Sequence, residues 1–131
     1  MSNEMVDDPT IEDSTRVYRR ISRLHVDSDP TSVDGYKITS AAFTDPSDGT
    51  QMSVHVGDTL SNRSLKVSSL LDLHPAAGLV SISAKEIRDL GLIIVRVPLP
   101  NDPAHAEIHG RKSKGTRRSL AKAARMEVLP K

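Results

Sequence analysis

Short runs of alternating apolar and polar residues recur along this chain, separated by clusters of Asp, Ser, Pro and Gly. Val17, Tyr18, Ile21, Leu24 and Val26 form the first run, and its β-branched and aromatic content predicts a strand. DSDPTSVDG follows as a loop. Tyr36 to Phe43 predicts a second strand, and TDPSDGT a turn closing a hairpin onto Met52–Val56. In that last run Met52, Val54 and Val56 share one face, and Ser53 and His55 the other. Residues 60–74 set Leu65, Leu70, Leu71 and Leu73 near helical spacing, and His74-Pro75 with Gly78 ends the segment.

The second half has clearer local signals. Leu79 to Ile82 reads as a short strand. Ser83 is a good helix N-cap, and Glu86 three residues later completes a capping box. Ile87 and Leu90 give that helix an apolar side, and Gly91 stops it. Leu92 to Val97 is a continuous aliphatic run, expected to be a strand buried on both faces. PLPNDP makes a rigid loop, and Ala104 to His109 one more strand. Thr116 is placed to cap a final helix, RRSLAKAARMEV, with Leu120, Ala123 and Ala124 inward. The pattern predicts an α+β fold: a small, mostly antiparallel sheet, two or three short helices and a basic C-terminal helix (111–131).

A chain of 131 residues is the size of one domain. Residues 1–15 carry five acids without apolar periodicity and are expected to form a disordered acidic arm ahead of a single domain at 16–131. With no Trp, and with Tyr18, Tyr36 and Phe43 as the only aromatics, the core must be mainly aliphatic. The absence of Cys removes disulfides, thiolate zinc sites and a cysteine nucleophile. The first residues have neither a basic start nor an apolar run, and Leu90–Val95 is too short to span a bilayer. A cytoplasmic protein without a membrane partner is expected.

Charge changes the picture most. Residues 111–131 hold eight basic residues against Glu127 alone, a net +7, whereas the remaining ten bases and sixteen acids leave residues 1–110 at −6. Such a split points to an acidic partner for the tail, or to the acidic body itself. Arg111, Lys112, Lys114, Arg117, Arg118 and Lys122 are the candidate phosphate contacts to a nucleic acid or an acidic protein surface.

A second candidate site lies just before that block. On a strand, His105, Glu107 and His109 share one face, where two imidazoles and a carboxylate can serve acid–base chemistry or a divalent metal. No further ligand is identifiable, so no metal is assigned, and no cofactor is expected. The pair Arg19-Arg20 puts one guanidinium toward the core or a cleft, with Arg20 the candidate to join the histidine face. His25, His55 and His74 have no ligand spacing. Nucleotide-binding loops, nucleophile elbows and zinc-protease motifs are absent from the sequence.

Tyr18-Arg19-Arg20-Ile21, Ser40-Ala41-Ala42-Phe43 and the run Pro98 to His105 resemble a group of small uncharacterised bacterial proteins, over most of residues 17–125. That resemblance implies a bacterial origin and a compact unit, with no activity attached. A fainter resemblance is to ADP-ribosyltransferase-like toxins. It implies that Arg19 or Arg20, Ser40 and Glu107 would surround a dinucleotide, although the chain is short, its serine motif is degenerate and it lacks the aromatics that pack a nicotinamide. Three functions therefore stand open: a binding module using the basic helix, a small enzyme using His105, Glu107, His109 and Arg20, and an accessory subunit of a bacterial defence or toxin–antitoxin module with an operon partner.

Overall fold

The computed structural model describes residues 5–47 and 51–131. Its strands are β1 (Arg16–Ile21), β2 (Val26–Ser28), β3 (Tyr36–Ile38), β4 (Met52–Val56), β5 (Gly78–Ser83), β6 (Ile93–Arg96), β7 (His105–His109) and β8 (Arg125–Val128). The helices are α1 (Gly57–Asn62), α2 (Ala84–Asp89) and α3 (Lys114–Ala123), with 3-10 turns at Arg23–His25, Ser40–Phe43 and Val67–Leu71. Six strands make one antiparallel sheet in the order β6-β7-β4-β1-β5-β8, and β2 and β3 pair separately. The fold is α+β, as the hydrophobic pattern predicts. No helix among the described residues is long and apolar enough to cross a membrane.

Strand alternation gives the sheet two different faces. Val17, Ile21, Met52, Val54, Val56, Val80, Ile82, Ala106 and Ile108 are buried on the inner face, with Phe43, Ile87 and Leu120 packed over them. The apolar cover of the outer face lies over β1 and β5. There Leu60, Leu70, Leu79 and Ala104 form a smaller cluster with Tyr18, Val67 and Leu71, beneath the chain that follows α1. Over β4 and β7 the outer face carries polar side chains.

The capping box forms as read. Ser83 Oγ accepts from the Glu86 amide at 3.1 Å, and Glu86 Oε1 accepts from the Ser83 amide at 3.3 Å. Gly91 follows α2 with φ +78°, a backbone that favours glycine.

Several expectations are corrected. Tyr36–Phe43 is not one strand, and its partner is β2 rather than β4. Within DSDPTSVDG, Asp29 Oδ1 accepts from the Thr31 amide and hydroxyl, and the Asp29 amide donates to Gly35 O, so this loop closes its own hairpin. Ser40–Phe43 then tightens into a 3-10 turn that buries Ala42 and Phe43. Part of the expected TDPSDGT turn lies outside the described residues. Of the three aromatics, only Phe43 is fully buried, and Tyr36 is 44% exposed. β6 is an edge strand with only Ile94 fully buried, so it is not covered on both faces.

The acidic N-terminal segment is also not a loose arm over its described residues 5–15. Ile11 is 1% exposed in the main core. Asp7 pairs with Arg88, Asp8 with Arg96, and the Asp8 amide donates to Ile94 O. The Arg96 guanidinium and the Thr10 hydroxyl hold the Asp8 carboxyl below its ordinary range, the hydroxyl contributing most. At the other end, α3 is capped by Ser113, whose Oγ accepts from the Thr116 amide; Thr116 is therefore not the cap. The helix stops at Ala123, and Arg125–Val128 joins the sheet beside β5 instead of extending the helix.

Candidate functional site

Cross-strand register brings the histidine strand against β4. His55 pairs with His105, and Ser53 with Glu107. Their side chains share the outer face, so neighbouring residues on adjacent strands can touch. Ser53 Oγ lies 3.0 Å from His105 Nε2, and His105 Nδ1 lies 2.8 Å from Val97 O. A carbonyl oxygen can only accept, so the neutral His105 ring carries its proton on Nδ1 and presents the Nε2 lone pair to the Ser53 hydroxyl. The turn after β6 builds this geometry: Leu99 and Asp102 exchange backbone hydrogen bonds, and the Val97 amide donates to His105 O.

That turn also sets Asp102 over His55. His55 is 2% exposed, and its Nε2 donates to Asp102 Oδ2 at 2.7 Å, while its Nδ1 is buried with no partner among the described residues. The His55 and His105 rings meet edge to face with centroids 6.0 Å apart. Burial pulls the His55 pKa below its ordinary value of 6.5; Asp102 opposes this, and the Arg20 and His105 charges reinforce it. Farther along β7, His109 Nε2 donates to Glu107 Oε1 at 2.9 Å.

His105, Glu107 and His109 thus share a face but do not converge on one point. His105 and His109 are four strand residues apart, about 13 Å, which no single metal ion bridges. Among the described residues, no three His, Asp or Glu side chains gather into a metal site. His25 and His74 lie apart from the group. His25 Nδ1 accepts from the Ser22 amide within a 3-10 turn, and burial lowers its pKa.

The two arginines of β1 separate. Arg19 lies with the core-facing residues and donates to three main-chain carbonyls: Ala42 at 2.6 Å, Ser53 at 2.8 Å and Thr44 at 3.4 Å. Burial lowers its pKa to about 10, against the attraction of Asp45. It clamps the Ser40–Phe43 turn to β4. Arg20 points to the outer face, where Nη1 donates to Leu70 O at 3.1 Å. Of the positions suggested by the toxin resemblance, Arg20 and Glu107 share the outer face with β4 between their strands, while Ser40 lines a groove beside α3.

The basic block also divides. Lys112 turns inward: its side chain is 2% exposed and its Nζ lies 2.9 Å from Asp45 Oδ1, with Gly110 O at 3.1 Å. It is therefore not available to an external phosphate. Arg117 is partly buried, and its Nε has no partner among the described residues. Arg111, Lys114, Arg118 and Lys122 are exposed and make no ion pair with a described carboxylate. Lys114, Arg118 and Lys122 fall at four-residue spacing, about 6 Å apart along one side of α3.

Beside this row runs a groove of about 650 Å³ between α3 and the β2–β3 hairpin. Arg118, Lys122 and Arg125 line one wall and Asp27, Asp29 and Asp34 the other, over a floor that includes Ile38, Ala121 and Met126.

Sequence reading missed Ser53, Asp102 and Asp45. Alternation had put Ser53 on the polar face of its strand, but only register shows which histidine it meets. Compared with protein-family models, curated proteins and solved structures, the chain matches none of them.

Proposed function

We propose that this protein is a binding module that presents the Lys114–Arg118–Lys122 row of α3 to a nucleic-acid backbone. The observation that carries this reading is a row of three exposed cations on one side of α3 that makes no ion pair with a described carboxylate. Like charges four residues apart repel. The first turn of α3 contains no acid, so Lys114 there opposes the helix dipole, whereas Lys122 in the last turn is favoured by it. Exposed and without a described ion-pair partner, these side chains remain open to a ligand. Their spacing and exposure suit a polyanion from outside.

The test is binding of a generic DNA duplex by the intact chain across a salt series. Three phosphate contacts give a slope of log K against log salt of about −2.7, and Arg118→Gln reduces its magnitude by about 0.9. Binding that is absent at low salt, or that has no salt slope, overturns the reading. Salt-dependent binding to a polyglutamate chain but not to DNA reassigns the row to an acidic protein partner.

A further inference from the structure

We infer that Ser53 is a nucleophile activated by His105, and that the outer face of β4 and β7 can turn over small carboxylic esters. This goes beyond the binding role and uses none of the α3 row. Three parts of an activated serine are present. Ser53 Oγ is within hydrogen-bond reach of an imidazole nitrogen, at 3.0 Å. That nitrogen is the basic one, because the other ring nitrogen is committed as a donor to Val97 O. The carbonyl orients the ring from its far side, as a carboxylate does in the familiar serine triad.

The pair is also open to solvent on the serine side. Ser53 is exposed, so a substrate carbonyl can reach Oγ without displacing protein atoms. An exposed hydroxyl has no need of a protein partner, since water would satisfy it. Arg20, on the next strand and the same face, supplies positive charge. One of its nitrogens is held by Leu70 O, which leaves its other N–H groups for an oxyanion. An ester is the fitting substrate class because this open face offers little help to a poor leaving group.

The step balances as follows. Ser53 Oγ bonds to the ester carbonyl carbon as its proton passes to His105 Nε2. The carbon–alkoxide bond then breaks, and His105 returns the proton to the departing alcohol. Water, deprotonated by the same nitrogen, cleaves the acyl-serine to a carboxylic acid and restores Ser53.

The intact chain is treated with a fluorophosphonate probe and, separately, with p-nitrophenyl acetate. The expected result is a single phosphonate adduct on the Ser53 peptide, a burst of p-nitrophenolate, and a labelling rate that rises with pH. Ser53→Ala, a change at an exposed position that leaves the melting temperature in place, abolishes both signals. His105→Gln slows labelling by about 100-fold or more and flattens the pH profile. The inference is overturned if the adduct forms equally in Ser53→Ala, if none forms, or if the wild-type rate ignores pH. Labelling without p-nitrophenolate release overturns the ester assignment.

Discussion

Lys112 and Arg118 lie six residues apart in the same basic block, yet substituting them should give opposite phenotypes. Lys112→Met keeps the length of the buried stem and removes the ammonium. The side chain is 2% exposed and its nitrogen is bound by Asp45, Gln51 and Gly110 O. Breaking a fully buried pair costs about 3–5 kcal/mol. Here the Asp45 side chain is 33% exposed and still accepts from the Met52 amide, so water and backbone recover part of that loss. The expected cost is about 2 kcal/mol, near the worth of a charged hydrogen bond. An unfolding entropy of about 0.28 kcal/mol/K for this chain length converts that to a fall in Tm of about 7 °C. Arg118→Met removes an exposed side chain without a described partner and should move Tm by less than about 2 °C. Thermal melts by circular dichroism, followed by DNA titration of the same samples, separate the two roles. Lys112→Met should lower Tm and keep affinity; Arg118→Met should do the reverse. Equal Tm shifts, or equal losses of affinity from folded samples, would refute the division of the basic block into one internal and several external cations.

Two other outcomes are expected. Arg19→Met leaves the Ala42, Thr44 and Ser53 carbonyls without their donor and should cost about 2–4 kcal/mol in urea unfolding, at roughly 1 kcal/mol or more for each group left unpaired. The folded pKa of His55 lies below 6.5, so in the window just below 6.5 the unfolded chain binds more protons than the folded one; stability should fall as pH drops from 7 toward 5, and His55→Gln should reduce the slope of that fall in urea midpoints.

The parts of this fold that were legible in the sequence are local. Ser83 and Glu86 are three residues apart, and the box they form needs nothing from elsewhere in the chain. The alternation of His105, Glu107 and His109 with Ala106 and Ile108 is a property of any strand. The parts that were missed depend on partners far along the chain. The acids Asp7 and Asp8 look like a solvated arm until Arg88 and Arg96, some eighty residues later, are seen beside them. Ser53 is an ordinary polar position until register puts it opposite β7. The Val97 carbonyl, which fixes the proton on His105, has no signature in a sequence of side chains. Arg125–Val128 reads as more helix because no Gly or Pro precedes it; the turn out of helix is made at Ala124, with ψ 138°. The β2–β3 pairing was misassigned for a different reason. Two loops competed for the role of hairpin turn, and the Asp29 hydrogen bonds to Thr31 settle it in favour of the first.

The place of β1 in the sheet has a consequence for time. It is the earliest strand in the chain, yet it lies inside the sheet, between β4 and β5. During synthesis its second neighbour is complete only when Ser83 has been added, about sixty residues after Ile21. At about 5–20 residues per second, the strand spends roughly 3–12 s with at least one edge open. Such an edge is a template for another chain. Arg16, Arg19 and Arg20 place three like charges along it, so two nascent copies repel each other at the stretch where they would otherwise pair. The arginines that later clamp a turn and face outward from the finished sheet act first as gatekeepers of an unfinished one.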